Sequence, residues 1–509
     1  MKDKILFWLD GHLLYFCLAY SLHKKYDANY YAIIDVPDRL KKFFNEQEFV
    51  QFEKIWFYHD QIITKKDPDL QYLENFEKKY NINLWQLAIN ERLFYKYNEY
   101  HQFTKNEILS ILEHECRLFE QILDDTQPNF IIAQDAGLHH SHLLCELARA
   151  RGIKVLMINI SKFGERCYIS QNIHTLDFLH NLDDVKGRGL NFVELEQHLK
   201  SVILSKSLMK FTNQSRSSKI DKIKAAIQLL FISKNTNVET HYSYYGRAKI
   251  RVLIKEILSV AKTKYRESFI RRHSIYKIED RYFVYLPLHQ EPERSLLIDA
   301  PFHTNQIETI RHVAKSIPIG YVLYVKEHPT QGKSRGWRPI STYKEILEIP
   351  NVKFIHHSIS SEELIKKSSL VISVGGSTAF EAAFFQKPSI LFANLGYSIL
   401  PSIYKLNCLE DLPNAIRLSI NKKVSSTDLD KYVTFLEENS FDFDWMGFVL
   451  RSYGEFFYGG NLVDVYINPS QMQHFLEQEK DILGKLANEH IKKIKQHKEY
   501  QSKYPENNP

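Results

Sequence analysis

The stretch "ISVGGSTAFEAAFFQKPSIL", residues 372–391, decides the fold. An apolar run leads into Gly375 and Gly376, a serine and a threonine follow, and a helix-like segment carries the single carboxylate Glu381. A second apolar run comes after a lysine-proline pair. This order predicts a buried strand, a tight turn, a short helix and a second strand, which is the repeating unit of a parallel α/β sheet.

The same alternation recurs in two parts of the chain. Strands are predicted over residues 281–288, 321–329 and 351–357 in the second part, and over 4–10, 30–36, 54–60, 129–135 and 154–160 in the first. We therefore predict two doubly wound α/β domains that face a cleft, joined by helices. The predicted boundaries are 1–195 for the N-terminal domain, 196–280 for a basic helical linker, 281–420 for the second domain and 421–509 for a C-terminal helical extension.

Composition narrows the class of protein. The 509 residues are 44% hydrophobic and 25% charged, the balance of a soluble globular protein, and no window reaches the ~20 apolar residues of a membrane span. The five cysteines are scattered and form no CxxC pair, which favours reduced thiols over disulfides or a zinc site. A cytoplasmic protein is expected.

Basic residues concentrate in the middle of the chain. Residues 200–280 hold 18 Lys or Arg and six Asp or Glu, a local charge of +12, whereas the whole chain carries only +6. Interleaved with apolar runs, these charges form either a solvated helical face or a basic amphipathic surface that rests on an anionic membrane leaflet. No nucleic-acid partner is predicted, because no recognisable binding module accompanies the charge.

The residue types after the predicted strand 370–374 suit a nucleotide. Gly375 and Gly376 permit a tight turn and close approach of a ligand, and a helix beginning at Ser377 and Thr378 favours a phosphate. Glu381 lies one turn further on, on the same side as Ser377, where a carboxylate suits the hydroxyls of a ribose.

A second polar element follows another predicted strand. In "YVLYVKEHP", Lys326, His328 and Pro329 come where the mouth of the sheet is expected. Proline fixes the turn, and the histidine can donate a hydrogen bond to a phosphate. Together the two elements predict a nucleotide site without a Walker lysine.

These motifs carry a family resemblance. "KEHP" followed by "GGST" and "FEAA", with "YLPLHQEPERS" at 285–295, resembles the donor half of bacterial capsule polysaccharide biosynthesis proteins, Kdo-transferase-like glycosyltransferases of the GT-B fold. The resemblance covers residues 281–400 best. It implies two Rossmann-like domains, an acceptor side in the N-terminal one, and a cytidine nucleotide donor such as CMP-Kdo.

The resemblance also implies residue roles. Nucleotide-sugar binding falls to Lys326, His328, Pro329, Gly375, Gly376, Ser377, Thr378 and Glu381. Asp135, after a strand of the first domain, is the first choice for the catalytic carboxylate, ahead of Asp10 and the Glu291/Glu293 loop, with Glu291 the next to test. Arg166 could pair with the carboxylate of an acidic sugar.

Other functions are compatible with the pattern. A UDP-GlcNAc 2-epimerase-like enzyme shares the fold, although a "TERPE"-like run is missing after "PSILFAN". A teichoic-acid-type CDP-glycerol glycerophosphotransferase and a non-catalytic sugar-binding protein are further alternatives. We expect no cofactor and no metal, because no Asp-x-Asp motif follows a predicted strand. The predicted partners are a nucleotide sugar, a glycan or lipid-linked acceptor, and the inner face of the plasma membrane through residues 200–280.

Overall fold

Two β-sheets form the framework of the protein. The structure is a computed structural model that describes residues 2–64, 67–134, 138–173, 175–179, 181–202, 218–233 and 236–503. The first sheet has the strand order β13-β6-β5-β4-β1-β2-β3 and the second has the order β12-β11-β10-β7-β8-β9. The strands are β1 (Asp3–Asp10), β2 (Ala28–Asp35), β3 (Lys54–Phe57), β4 (Phe130–Ile132), β5 (Lys154–Ile160), β6 (Arg166–Ser170), β7 (Phe283–Pro287), β8 (Val322–Lys326), β9 (Val352–Ile355), β10 (Leu370–Ser373), β11 (Ser389–Leu391), β12 (Ile403–Lys405) and β13 (Phe441–Asp442).

Strand direction confirms the predicted fold class. All pairs in the second sheet are parallel, as are those joining β1 to β5 in the first, whereas β6 runs antiparallel to β5. Strands β7 and β10 are buried almost throughout, which explains their continuous apolar runs. The chain is thus an α/β protein with two Rossmann-like sheets.

Helices cover both sheets. Those of the first part are Leu14–His23, Asp38–Glu46, Tyr58–Gln61, Leu70–Tyr80, Leu84–Asn90, Lys105–Thr126 and His139–Ala150. Those of the second are Arg294–Leu297, Gln306–Ser316, Ile340–Leu347, Ser361–Lys367, Thr378–Phe384, Leu412–Ile420 and Ser426–Glu438. The connecting region contributes Phe192–Val202, Lys219–Ile227, Asn237–Thr240 and Lys249–His273.

The C-terminal region differs from the predicted extension. Its helices Trp445–Phe456, Pro469–Gln478 and Lys480–Lys503 pack into the core of the first sheet, and β13 adds a strand to that sheet beside β6. The helix Ser426–Glu438 instead packs into the core of the second sheet. The last part of the chain therefore crosses from the second half back to the first and completes its hydrophobic core.

Each sheet has a point where the strand order reverses. In the second sheet the chain runs from β7 to β8 and β9 on one side and from β10 to β11 and β12 on the other. In the first sheet the reversal lies between β1 and β4. Ligands of open parallel sheets bind beyond the carboxyl ends of the strands at such a point, which directs attention to the loops after β7 and β10.

Candidate nucleotide-sugar site

The loops after β7 and β10 meet through a buried histidine. The Gly375 N–H donates to His289 Nε2 at 3.1 Å, and the Gly376 N–H donates to Ser373 Oγ at 3.0 Å. Burial lowers the pKa of His289 to about 3, so its ring is neutral and can accept this hydrogen bond. His289 therefore fixes the glycine turn, a role that the sequence did not reveal.

Close packing explains why the turn is built from glycine. A Cβ atom on Gly376 would lie 3.1 Å from both His289 Cε1 and Ser373 Oγ, whereas one on Gly375 would have its nearest neighbours at 3.4 Å. The Tyr397 hydroxyl also donates to the Gly376 carbonyl at 2.6 Å. Both glycine N–H groups are used inside the protein, so the groups left for a ligand begin at residue 377.

The helix Thr378–Phe384 starts the polar side of the site. Ser377 Oγ donates to Glu381 Oε1 at 2.8 Å, so these side chains lie on one side of the helix, as predicted. Burial raises the pKa of Glu381, and the hydrogen bond from Ser377 together with the charges of Lys162 and Lys326 opposes this rise. One hydroxyl expected to face a phosphate is therefore directed to the carboxylate.

Lys326 lies deeper than expected. Its side chain is buried, and Nζ donates to the Ile359 carbonyl at 2.5 Å and to Ser361 Oγ at 2.8 Å. Burial lowers the pKa of Lys326 to about 8. These contacts tie the end of β8 to the start of the helix Ser361–Lys367.

His328 has one ring nitrogen engaged and one available. Nδ1 accepts the Thr330 N–H at 3.3 Å and lies 2.8 Å from Thr330 Oγ1. Burial lowers the pKa of His328, which favours a neutral ring with its proton on Nε2. Within the described residues Nε2 makes no hydrogen bond, so it is a donor available to a ligand, while Pro329 is exposed beside it.

A buried ion-pair network supports this turn. Arg338 Nε lies 2.8 Å from Glu327 Oε2 and Arg338 Nη1 lies 2.7 Å from Glu291 Oε2. Glu327 also accepts from the Tyr343 hydroxyl at 2.9 Å and from the His328 N–H at 2.9 Å. Arg338 thus links the loop after β7 to the loop after β8.

Glu291, the second predicted catalytic carboxylate, belongs to that network. Besides Arg338, it accepts a hydrogen bond from Gln306 Nε2 at 2.6 Å. Glu293 lies in the same loop, where burial raises its pKa. The two glutamates of this loop therefore have different environments.

Arg166 does not face the site, which corrects the prediction of a sugar contact. Its guanidinium donates to Ser440 Oγ at 2.8 Å, to Asp442 Oδ1 at 2.8 Å and to the carbonyls of Glu437 and Ser440. These partners lie where the chain returns to the first sheet. Arg166 was misassigned because the strand β13, which determines its surroundings, is only two residues long and 275 residues away.

Asp135, the first-choice catalytic residue, lies outside the described residues. The helix that follows it, His139–Ala150, begins in a buried polar network. His139 Nδ1 lies 2.8 Å from Glu91 Oε2, Nε2 lies 2.8 Å from Glu115 Oε1, and the His139 N–H donates to Glu91 at 2.6 Å. Burial lowers the pKa of His139, but the carboxylates of Glu115 and Glu91 outweigh it and raise the pKa to about 10.

This network is also a candidate metal-binding group. Among the described residues, Glu115, His139 and His140 bring their ligand atoms within 4.8 Å of one another. Both ring nitrogens of His139, however, already face carboxylates, and His140 Nε2 lies 3.1 Å from Asp35 Oδ2. These ligand atoms are already engaged with one another and with Glu91 and Asp35, which indicates a structural role near the carboxyl ends of β2 and β4.

The structure brings together most of the predicted site and adds residues to it. His328, Ser377, Thr378 and Glu381 surround the carboxyl ends of β7, β8 and β10, and Lys326 lies beneath them. The residues that sequence reasoning missed are His289, Gln306, Arg338, Tyr397 and Lys162. Their partners are far away in sequence, so only the aromatic and charged character of the loops could have drawn attention to them.

Comparisons with known proteins agree with the donor-half motifs. A family described as "Capsule polysaccharide biosynthesis protein" matches residues 193–401. No curated protein matches the chain. Among solved structures, a β-Kdo 2,7-transferase, KpsC of Thermosulfurimonas dismutans, is 11% identical over 62% of this chain and 79% of its own, with a TM-score of 0.29.

Structures with another activity are similar to the same extent. The UDP-GlcNAc 2-epimerase of Methanocaldococcus jannaschii is 13% identical over 86% of this chain and 99% of its own, with a TM-score of 0.25. TM-scores this low carry no argument about function. The resemblance predicted from the "KEHP" and "GGST" motifs is confirmed, because residues 193–401, which contain both motifs, match this family.

Proposed function

We propose that the protein is a glycosyltransferase of surface polysaccharide biosynthesis that uses a nucleotide-sugar donor. The observation that carries the proposal is the convergence of the loops after β7, β8 and β10 at the reversal point of the second sheet. A neutral imidazole donor, a helix start and a buried carboxylate meet there. This combination suits a phosphate and a ribose.

Each group has a proposed task. His328 Nε2–H and the amides and hydroxyl at the start of the helix Thr378–Phe384 hold the donor phosphate. Glu381, turned by Ser377, accepts from the ribose hydroxyls. The ammonium of Lys326 already donates hydrogen bonds to Ile359 and Ser361, so it acts on the leaving nucleotide through its positive charge and not through direct contact. A CMP-sugar such as CMP-Kdo is the favoured donor, and a glycan or glycolipid is the acceptor.

The chemistry needs a carboxylate on the acceptor side. Such a group either removes the proton of the acceptor hydroxyl as that oxygen attacks the anomeric carbon, or attacks the anomeric carbon itself and is then displaced by the acceptor hydroxyl. In both cases the bond between the anomeric carbon and the donor phosphate breaks, and the nucleotide leaves. Asp135 is proposed for this task, because it follows β4 at the reversal point of the first sheet. No metal is invoked for this step, since His328 and the helix start can stabilise the leaving phosphate.

Thermal unfolding with CMP, CDP, UDP or GDP tests the proposal. The correct nucleotide raises the midpoint by mass action. His328→Ala and Glu381→Ala should each weaken its binding by about 1.5–3 kcal/mol, the contribution of a hydrogen bond to a charged group. Asp135→Asn should abolish transfer but keep nucleotide affinity. If neither His328→Ala nor Glu381→Ala changes affinity, the site assignment is wrong.

We also propose that the linker helices rest on an anionic membrane surface. Phe231 is 80% exposed and Ile257 is 72% exposed, and further exposed isoleucines lie beside lysines and arginines in the helices Lys219–Ile227 and Lys249–His273. Exposed apolar patches of this kind mark interaction surfaces, and the basic charge selects an anionic one. None of the described helices is long and apolar enough to span a membrane.

Vesicle sedimentation tests this surface. Binding to phosphatidylglycerol-containing vesicles should be lost at high salt and reduced in a Phe231→Ser/Ile257→Ser variant. Ile319→Ser is the matched control, because Ile319 is a fully exposed isoleucine of the second half, outside the linker helices. Equal binding to neutral vesicles would show that the charge is only a solvated face.

A further inference from the structure

The loop after β5 reaches from the first half into the second. Phe163 is only 1% exposed and packs against Phe380 and Phe384, with ring centroids 6.4 Å and 5.8 Å away. Both partners belong to the helix that begins the nucleotide site. This contact anchors the neighbouring residue, Lys162, next to the donor half although Lys162 belongs to the first sheet's loop.

The backbone of Lys162 adopts an uncommon conformation. Its φ is 59°, in the left-handed region that a lysine seldom occupies. Non-glycine residues persist in this region where the surrounding structure holds them, often at ligand sites. Here the buried side chain of the neighbouring Phe163 fixes the backbone conformation. Ser161 Oγ contributes by accepting a hydrogen bond from the Phe163 N–H at 3.1 Å.

The ammonium group of Lys162 lacks a direct partner of opposite charge in the part of the chain that the structure describes. It is half-buried, and among the described residues it makes no hydrogen bond or ion pair. Nζ lies 5.6 Å from the ring centroid of Tyr397, whose hydroxyl holds the Gly376 carbonyl of the glycine turn. An ammonium taken out of water without a partner costs free energy, so its position favours the binding of an anion.

Nearby carboxylates do not cancel this charge. Burial lowers the pKa of Lys162, while Asp299, Glu293 and Glu381 act on it from a distance and oppose that change. Asp299 is itself paired with Arg294, at 3.0 Å. Burial raises the pKa of both Glu293 and Glu381, and neither carboxylate forms an ion pair with Lys162 in the described part of the chain.

We propose that Lys162 binds an anionic group of the donor, either its phosphate or the carboxylate of an acidic sugar, and so completes the nucleotide-sugar site from the first half of the chain. This inference rests on the proposed function. It gives to Lys162 the electrostatic role that the sequence had suggested for Arg166, four residues later in the same segment. It also makes donor binding depend on both halves of the protein.

Calorimetric titration of Lys162→Met and Lys162→Arg tests the inference, with CMP and CMP-Kdo as probes. Methionine keeps the aliphatic stem and removes the charge, whereas arginine keeps the charge. If Lys162 binds the phosphate, Lys162→Met should weaken both probes by about tenfold or more, the effect of a lost hydrogen bond between charged groups. If it binds the sugar carboxylate, only CMP-Kdo should be weakened. Lys162→Arg should retain most of the affinity in either case.

Controls separate the outcomes. Lys422→Met removes an exposed lysine of the second half and should leave both affinities unchanged. If Lys162→Met fails to fold, Lys162→Asn replaces it, since asparagine tolerates a left-handed φ. Wild-type affinity of the neutral variant for both probes would overturn the inference and leave the proposed function standing. If the wild-type protein binds neither CMP nor CMP-Kdo, both this inference and the proposed function are wrong.

Discussion

Replacing Arg338 by methionine should destabilise the second half strongly. The guanidinium lies between Glu327 and Glu291, whose side chains are 0% and 13% exposed, and its own side chain is 5% exposed. Its Nη2 also donates to the His289 carbonyl. Methionine fills part of the volume, but the partners that remain to the buried Glu327 within the described ranges are the Tyr343 hydroxyl and the His328 N–H. Removing one partner of a buried pair typically costs about 3–5 kcal/mol.

Amide hydrogen exchange of β7 and β8 under urea measures this cost locally. A double variant, Arg338→Met/Glu327→Gln, removes the uncompensated charge as well, so it should be more stable than Arg338→Met alone. Arg311→Met is the matched control, because Arg311 pairs with Glu308 and Glu345 on the surface, where ion pairs contribute little.

The nucleotide provides a second readout for Arg338→Met. The network positions the His328 turn through the Glu327 carboxylate, so nucleotide affinity should fall together with local stability. An Arg338→Met protein as stable as the wild type, or one no less stable than the double variant, would refute the reasoning that a buried charge is left without its partner.

Two further predictions concern the first half and the glycine turn. The pKa of His139 is raised to about 10 from an ordinary 6.5, so its charge stabilises the first half fully below pH 6.5, and this stabilisation is lost as the pH rises through 10. The thermal unfolding midpoint of the wild type should therefore fall over this pH range, and His139→Gln should reduce that fall. If the unfolding midpoint of His139→Gln fell with pH as much as that of the wild type, another titrating group would be responsible. Gly376→Ala should weaken nucleotide binding and lower the free energy of unfolding by about 1–3 kcal/mol, because its Cβ would lie 3.1 Å from His289 Cε1. Gly375→Ala should have smaller effects in nucleotide titrations and in unfolding, because the nearest atoms to its Cβ would be 3.4 Å away. Equal effects of the two alanines would contradict the packing argument.

Strands were the most predictable part of the fold. The apolar runs that become β1, β7, β8 and β10 are buried in the middle of their sheets, so local sequence and final environment agree. Strand β13, Phe441–Asp442, was not predicted, because its two residues pair with β6 only through the fold of the whole chain. The helices after it lack any local sign that they complete the core of a sheet built from the first 170 residues.

The candidate site shows the same division. The pairing of Ser377 with Glu381 follows from helical spacing and could be predicted. The depth of Lys326 could not, because its partners Ile359 and Ser361 come from the next crossover of the sheet. His289 was hidden for the same reason, since its ring reaches a turn 86 residues later in the chain.

These contacts change the choice of carboxylate to test after Asp135. Sequence alone ranked Glu291 second, but its carboxylate accepts from Gln306 and pairs with Arg338, so both oxygens already serve to hold two loops together. A carboxylate held in this way gains little by taking a proton from an acceptor hydroxyl. Glu293 is different, because burial raises its pKa, the direction in which a carboxylate becomes a better proton acceptor. If Asp135→Asn retained turnover, Glu293→Gln should lower it more than Glu291→Gln at equal nucleotide affinity, whereas the reverse order would return the role to Glu291.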